Sequence, residues 1–417
     1  MSDLARRDAR VAWHPYTQHG LEPEALPVVE ARGAELVLED GRRVLDAISS
    51  WWTVLHGHGE PRLVEAFAAQ AAKLDHVLFA GCTHEPAVAL AEELIAVAPA
   101  GLARVFYSDD GSTAVEVALK IALQAHRHAG EAERRVFVAL EGAYHGDTFG
   151  AMAIGERAPF FTPFEDLLFE VRHVPVEAAA IEDALDDLGP RAAGVILEPL
   201  VQGAGGMRMH APELVRAARA ACDARGVFLI ADEVMTGFGR TGTLFACRQA
   251  GVTPDLLCLA KGLTGGVFPL SATLCTAALF ERFVSDDRAR ALFHGHSFTA
   301  NPIGCAVARA SLALVRERDV PARLDAIGAR INARLAERLG PRAAALDLRR
   351  TGGIVAFDLP ESGGYLAARA LERRRRALEH GVLLRPLGNV LYAMPPACTE
   401  EAQCDAIADA LLALSEA

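Results

Sequence analysis

The chain has 417 residues and a formal net charge of -12, with 51% hydrophobic and 23% charged residues. This composition is typical of a globular protein long enough for two domains. The acidic balance argues against nucleic acid or an anionic membrane surface as a partner. Residues 1–17 lack the apolar segment of a secretory signal, and no apolar run reaches bilayer length, so we expect a cytoplasmic protein. The eight cysteines form no CxxC pair, and no metal site is predicted.

Between about residues 61 and 310, short apolar runs alternate with alanine-rich helical patterns. Helical stretches such as 114–130 and 211–226 end at glycines, which suit helix C-caps. The alternation predicts an α/β fold with a mostly parallel sheet covered by helices on both faces. Ligands of such sheets bind beyond the carboxyl ends of the strands. The predicted strands are 103–108, 134–140, 192–199, 226–233, 255–261 and 270–276.

The pattern changes after about residue 306 to long helices followed by short strands. This change predicts a second, smaller α+β unit, which the first fifty residues could join. We therefore expect a large α/β domain over residues 51–305 and a small α+β domain formed by residues 1–50 and 306–417.

Gly111 and Ser112 fall between a predicted strand and a predicted helix. The free backbone N–H groups and the dipole of such a helix start favour a phosphate group. The alternative is ordinary helix capping, since Thr113 and Glu116 have the spacing of a capping box.

Two charged residues stand near the ends of the predicted strands 226–233 and 255–261. Asp232 and Lys261 each follow five apolar residues, so each charge emerges where a strand leaves the sheet. The alternatives are a buried salt bridge for Asp232 and a lysine side chain that extends to water for Lys261.

Pyridoxal phosphate would use all three strand ends together. Its phosphate needs a helix N-terminus, its pyridine nitrogen needs a carboxylate, and its aldehyde needs a lysine for a Schiff base. A lysine with a lowered pKa could then also carry a proton from the substrate. The arrangement predicts pyridoxal phosphate as the cofactor.

Five motifs in one order make the chain resemble the class III aminotransferases of the fold type I pyridoxal phosphate enzymes. The resemblance implies a Schiff base at Lys261, a pyridine contact from Asp232, phosphate contacts from Gly111 and Ser112, and a ring contact from Tyr144. The motifs are GAYHGDTFGAMA, ILEPLVQGAGGM, LIADEVMTGFGRTG, LCLAKGLTGG and HGHSFTANPIGCA.

The HGHS motif implies a homodimer with shared active sites. By the resemblance, this loop enters the site of the neighbouring subunit, where His296 and Ser297 would contact the cofactor and Gly295 the substrate. A site shared in this way requires two copies of the chain.

Four further segments resemble the branch of this family that moves an amino group from S-adenosylmethionine to 8-amino-7-oxononanoate in biotin biosynthesis. Adjacent tryptophans on a strand would point in opposite directions, which leaves Trp51 or its neighbour free to line a pocket. The resemblance implies a slot formed by Trp51, Tyr144 and a catalytic Tyr16, a substrate contact from Tyr392, and a carboxylate contact from Arg385. Without the resemblance, Arg385 would be interpreted as a surface arginine. The segments are WHPYT, SSWWTVLHG, GCTHEPAVALAEEL and RPLGNVLYAMPP.

Other activities are compatible with parts of this pattern. One is a different class III transaminase for ω-amino acids or diamines, and another uses the same acceptor with lysine as the amino donor. An aminomutase would share the lysine and aspartate motifs. A cofactor-binding regulator is disfavoured because the basic residues do not cluster as a nucleic-acid surface would require.

Overall fold

A computed structural model describes residues 2–22, 25–157, 159–361, 365–366 and 368–416. Within these ranges, no helix is both long enough and apolar enough to cross a bilayer. In the same ranges, His, Cys, Asp and Glu side chains form no group of three that could hold a metal ion.

Between residues 61 and 310, strands and helices mostly alternate, as the sequence pattern predicts. In the described ranges, the strands are β1 (Val28–Arg32), β2 (Glu35–Leu38), β3 (Arg43–Asp46), β4 (Leu102–Ser108), β5 (Val136–Leu140), β6 (Val171–Val174), β7 (Ala192–Leu197), β8 (Val201–Gln202), β9 (Arg208–Met209), β10 (Phe228–Asp232), β11 (Leu256–Leu259), β12 (Ser271–Thr276), β13 (Arg349–Thr351), β14 (Ile354–Asp358), β15 (Val382–Leu383) and β16 (Val390–Ala393). The helices are α1 (Asp3–Val11), α2 (Ser49–Trp52), α3 (Pro61–Lys73), α4 (Glu85–Val97), α5 (Gly111–His128), α6 (Phe149–Ile154), α7 (Ala178–Leu188), α8 (Pro212–Arg225), α9 (Cys247–Ala250), α10 (Ala277–Glu281), α11 (Pro302–Glu317), α12 (Val320–Leu339), α13 (Arg342–Ala345), α14 (Ala368–Glu379) and α15 (Glu401–Ser415).

The central sheet has seven strands in the order β4-β12-β11-β10-β7-β5-β6. Every pairing is parallel except those of β12, which runs antiparallel to β11 and β4. The predicted mostly parallel sheet is therefore confirmed.

Helices cover both faces of this sheet. In β5, Phe137 and Ala139 pack in the cluster that contains α5, whereas Val136 and Val138 pack in the cluster that contains α7 and α8. Side chains of a strand alternate between its faces, so a strand covered on both sides is apolar throughout. All five residues of β5 are buried for this reason.

The strand predicted to end at Lys261 ends at Leu259 instead. Lys261 begins a 3-10 turn over Lys261–Thr264 with a positive φ of 34°. The backbone N–H of Leu263 donates to the carbonyl of Ala260 at 2.8 Å, so the chain bonds within this turn rather than to a neighbouring strand. Lys261 consequently lies beyond the sheet edge.

Two smaller sheets involve the ends of the chain. One has the order β1-β2-β3-β15 and the other the order β13-β14-β16. The parallel pairing of Val382 with Leu45 joins the first segment to the last. The predicted domain limits, 1–50 with 306–417 and 51–305, stay a prediction.

Candidate active site

A cavity of about 620 Å³ opens at the carboxyl edge of the central sheet. Gly111 and Ser112 line it from the start of α5, Tyr144 from the segment after β5, Asp232 from the end of β10, and Lys261 from the turn after β11. Parallel strands bring their carboxyl ends to one edge, which explains how residues far apart in the chain meet here.

The cap of α5 differs from the predicted pair of Thr113 and Glu116. The carboxylate of Asp110 accepts from the N–H of Thr113 at 2.8 Å, and the hydroxyl of Thr113 accepts from the N–H of Asp110 at 3.2 Å. Glu116 instead accepts from the hydroxyl of Thr148 and the N–H of Gly150, both at 2.6 Å. This alternative pairing does not form, because α5 begins at Gly111 and Glu116 lies in the second helical turn.

The segment after β5 lies very close to the start of α5. The hydroxyl of Ser112 accepts from the N–H of Thr148 at 3.0 Å. Gly146 has a φ of +126°, and a Cβ there would lie 2.2 Å from the hydroxyl oxygen of Ser112. Only glycine fits this approach, which holds the open N–H groups of the first turn of α5 at the cavity wall.

Asp232 forms a buried pair with His145. The Nδ1–H group of His145 donates to one carboxylate oxygen of Asp232 at 2.6 Å, and the N–H of Val234 donates to the other at 3.0 Å. Burial disfavours charge on His145, but the hydrogen bond and charge of Asp232 outweigh it and raise the pKa of the imidazole. Sequence reasoning missed His145, although it follows Tyr144 in the GAYHG motif.

Glu198 places a second carboxyl group beside this pair. It accepts from the N–H of Tyr144 at 3.1 Å and from the N–H of Gly203 at 2.8 Å. Burial raises the pKa of Glu198 to about 7, against the opposing charge of His145. Glu198 was also missed, although it directly follows β7 and so obeys the strand-end rule that identified Asp232.

Lys261 is half-buried in the same cavity. Burial lowers the pKa of its amine and Arg240 adds to this effect, while the charges of Asp232 and Glu198 oppose it. A lysine whose pKa is lowered spends more time as a neutral amine, which is the form that attacks a carbonyl carbon or accepts a proton.

Trp52 separates Lys261 from Tyr392. The amine of Lys261 lies 4.7 Å from the centre of the Trp52 ring, and the indole N–H donates to the hydroxyl of Tyr392 at 3.1 Å. Among the described residues, the walls of the cavity and of the adjoining slot do not include Tyr392. Because Trp52 stands between Tyr392 and the cavity, the predicted substrate contact of this tyrosine would require Trp52 to move, and it stays a prediction.

An aromatic slot of about 290 Å³ joins the cavity at Lys261. Arg385 lines it together with Tyr16, Trp51 and Tyr144, so the structure brings together most of the residues predicted for substrate recognition. Phe160 and Tyr365 also line it, and the centres of their rings lie 4.6 Å apart. Neither residue had a local sequence signal, because only the fold brings them to the slot.

The wall of the slot contains one carboxylate, Asp147, and one guanidinium, Arg385. The hydroxyl of Tyr16 donates to Asp147 at 2.5 Å, and burial together with Asp147 raises the pKa of this phenol, which stays neutral. The guanidinium of Arg385 lies 4.6 Å over the ring of Trp51 and donates to the hydroxyl of Tyr365 at 3.3 Å. Its Nε atom is buried without a hydrogen-bond partner in the described part of the chain. Arg385 is therefore open to a carboxylate ligand.

The side chains of Trp51 and Trp52 extend from a left-handed turn rather than from a strand, as was assumed from the sequence. Ser49, Ser50, Trp51 and Trp52 have φ values of 50°, 44°, 67° and 73°. Non-glycine residues adopt this region at a cost of roughly 1–2 kcal/mol each, so surrounding contacts must hold the turn. Trp52 is buried beside Lys261, and Trp51 is 37% exposed beside Arg385.

The HGHS loop lies outside the cavity of its own chain. Gly295 and Ser297 are exposed, and the imidazole of His296 lies 3.9 Å from the carboxylate of Asp109. Phe293 and Phe298 flank the loop with 77% and 60% of their surfaces exposed.

Comparison with known proteins agrees with this geometry. The family model for class III aminotransferases matches residues 16–414. The chain belongs to the class III aminotransferase family. As a member it is a transaminase, and the predicted fold type I architecture is confirmed.

Individual relatives support the same family. The chain is 50% identical over 409 residues to the adenosylmethionine-8-amino-7-oxononanoate aminotransferase of Synechococcus elongatus, covering 93% of this chain and 94% of the relative. The crystal structure of the enzyme of the same name from Methanocaldococcus jannaschii is 33% identical, with a TM-score of 0.94 and coverage of 99% and 98%. An amine transaminase from an uncultivated Pseudomonas species, solved with pyridoxal phosphate bound, is 30% identical, with a TM-score of 0.91 and coverage of 97% and 98%.

Proposed function

We propose that this aminotransferase moves an amino group from S-adenosylmethionine to 8-amino-7-oxononanoate and forms 7,8-diaminononanoate, a step of biotin biosynthesis. The observation that carries the proposal is a slot lined both by Lys261 and by the open guanidinium of Arg385. The names of the relatives from Synechococcus elongatus and Methanocaldococcus jannaschii support it. A cytoplasmic location, expected for this biosynthetic step, is part of the proposal.

The chemistry of the slot suits both substrates. Each carries a carboxylate, for which Arg385 offers a planar fork of donors. The acceptor has a long carbon chain that would lie against the rings of Tyr16, Trp51 and Tyr144. Each substrate also carries a cationic group, an amine or a sulfonium, and Asp147 supplies a carboxylate on the wall of the slot. One slot can thus serve both substrates in turn.

The residues around the main cavity fit pyridoxal phosphate as the cofactor. Asp232 would face the pyridine nitrogen, Lys261 would meet the aldehyde, and the N–H groups of Gly111 and Ser112 would meet the phosphate. Tyr144 would cover one side of the ring. The buried Nε2 atom of His145, which has no hydrogen-bond partner among the described residues, supports a polar occupant beside this histidine.

Each residue has a distinct task in the reaction. When bound, pyridoxal phosphate would supply the aldehyde that takes up the amino group and a ring that accepts electrons. Lys261, with its lowered pKa, would carry the proton that leaves the substrate Cα. Asp232 would face the far side of the ring, and its hydrogen bond with His145 would hold the carboxylate in that position. The neutral phenol of Tyr16 would orient the substrate through Asp147.

We further propose a homodimer in which the loop of Gly295, His296 and Ser297 completes the neighbouring site. Exposure of this loop and of the flanking Phe293 and Phe298 supports an interface at this surface. The hydroxyl of Ser297 and the imidazole of His296 would then reach the phosphate held by the partner copy.

A half-reaction assay tests the choice of amino donor. Holoenzyme is mixed separately with S-adenosylmethionine, lysine and a diamine, and loss of the visible cofactor absorption is followed together with release of the keto product. We expect S-adenosylmethionine to react fastest and to release stoichiometric keto product. Faster reaction with lysine or the diamine would contradict the proposed donor, and conversion without keto product would indicate an aminomutase.

Arg385→Ala tests the acceptor. Loss of the charge-assisted contact should weaken use of 8-amino-7-oxononanoate by about 2–5 kcal/mol, because binding of the acceptor would remove this ion pair from water. The measurement is the acceptor half-reaction from the pyridoxamine form of the enzyme, with 8-amino-7-oxononanoate and with an analogue that lacks the carboxylate.

The wild-type enzyme should discriminate strongly between these two acceptors, and the Arg385→Ala variant should not. Arg374→Ala serves as the arginine control, because Arg374 pairs with Glu22 at 2.9 Å and lines neither the cavity nor the slot. This control should discriminate as the wild type does. Equal discrimination by wild type and Arg385→Ala would place the substrate carboxylate elsewhere.

A further inference from the structure

The left-handed turn of Ser49, Ser50, Trp51 and Trp52 is braced by the carboxylate of Asp46. One oxygen of Asp46 accepts from the hydroxyl of Ser50 at 2.7 Å, and the other accepts from the N–H of Ile48 at 3.3 Å. His58 contacts the first oxygen at 2.9 Å. Asp46 is 1% exposed and ends β3, so the brace is anchored in a sheet.

Other contacts hold the far side of the turn. The hydroxyl of Ser49 donates to the carbonyl of Met394 at 2.7 Å. The buried guanidinium of Arg240 donates to the carbonyl of Trp52 at 3.2 Å. These bonds fix the two ends of the turn, whereas Ser50 is exposed and its hydroxyl bonds only to Asp46 among the described residues.

The turn places its two indoles beside two different functional groups of the slot. Trp51 lies 4.6 Å from the guanidinium of Arg385, and Trp52 lies 4.7 Å from the amine of Lys261. In an extended or right-handed segment, the same two side chains would leave the backbone in other directions. The backbone conformation at Ser50 therefore determines where the indoles of Trp51 and Trp52 line the slot.

We propose that Asp46 and Ser50 are positioning residues for the substrate slot. Their hydrogen bond offsets the cost of the left-handed turn and thereby keeps Trp51 at Arg385 and Trp52 at Lys261. Neither residue lines the slot or the cavity. The inference deepens the proposed function, on which it rests for the identity of the substrate.

The test compares Ser50→Ala with Ser50→Gly in a Trp13→Phe holoenzyme. Trp13 is 91% exposed, and the chain has three tryptophans, so the remaining fluorescence comes from Trp51 and Trp52. Both variants lose the bond to Asp46, but glycine adopts a φ of 44° without steric cost and alanine does not. Ser50→Gly should therefore retain the left-handed turn that Ser50→Ala disrupts.

For Ser50→Ala we expect an increase of about fivefold in the acceptor KM, with a smaller change in kcat, as loss of one hydrogen bond predicts. Acrylamide quenching of the tryptophan fluorescence should increase as well. Ser50→Gly should stay within about twofold of the parent in both measurements. Asp46→Ala should change the acceptor KM and the quenching in the same direction as Ser50→Ala, but more strongly. It also removes the contacts of Asp46 with the N–H of Ile48 and with His58.

The matched control is Ser415→Ala, which removes a serine hydroxyl bonded to the carbonyl of Leu412 at the end of α15. Parent-like quenching and KM in Ser50→Ala, or equal losses in Ser50→Ala and Ser50→Gly, would overturn the proposal. Quenching needs no substrate, so it reports on the turn even if the parent enzyme does not accept 8-amino-7-oxononanoate. Failure of the parent enzyme to accept 8-amino-7-oxononanoate would contradict the proposed function and not this inference.

Discussion

Lys261→Ala is expected to lower the rate of amino transfer by more than about a thousandfold, because the variant lacks the amine that carries the substrate proton. The half-buried amine at the junction of cavity and slot makes Lys261 the proton carrier we propose. The rate is measured in a single turnover of holoenzyme with the amino donor. Lys73→Ala is the matched control, since Lys73 is an exposed residue at the end of α3.

Covalent labelling complements this variant. Borohydride reduction of the holoenzyme should fix the cofactor on Lys261, and peptide mapping should recover it there. The chain contains only three lysines, Lys73, Lys120 and Lys261, so the labelled position is unambiguous. Recovery of the label on Lys73 or Lys120, or substantial turnover by Lys261→Ala, would contradict the mechanism.

Asp232→Asn should reduce the rate of each half-reaction by roughly 100- to 1,000-fold while leaving the fold intact. The amide has nearly the shape of the carboxylate and can still accept from the N–H of Val234. It cannot supply the negative charge opposite the pyridine nitrogen. It also removes the partner that raises the pKa of His145. Stopped-flow absorption of both half-reactions measures the effect.

Asp255→Asn separates this electrostatic effect from general loss of an internal ion pair. Asp255 accepts from Arg219 at 2.7 Å and from the N–H of Leu229 at 2.8 Å, directly before β11 and outside the cavity. We expect Asp255→Asn to lower the thermal unfolding midpoint with little change in rate. A near wild-type rate for Asp232→Asn would refute the assignment of Asp232.

The strand-end logic explains why much of the site could be predicted. Asp232 and Lys261 both follow apolar runs, and parallel strands necessarily bring such positions to one edge. The same rule applied to Glu198 would have found the second carboxyl group. Motif order then identified the family, because residues that serve one cofactor occur in a characteristic sequence along the chain.

Helix and strand limits were less accurate, for local reasons. The cap of α5 is Asp110 with Thr113, because the helix begins at Gly111 and a shift of a few residues changes which side chain can reach the free N–H groups. Lys261 left its predicted strand because the chain bonds within the turn that follows.

The sequence by itself determined the α/β class, the family, and the residues whose chemistry depends on type and order, above all Lys261 and Asp232. Tertiary structure alone added Phe160 and Tyr365 to the walls of the slot and decided how those walls are held. Tyr365 and Arg385 meet through long-range packing, and the two tryptophans diverge because contacts from Asp46 and distant segments hold a backbone conformation that local preference opposes. The contacts of Ser49 with Met394 and of Trp52 with Arg240 join residues far apart in the chain, so no local pattern encodes them.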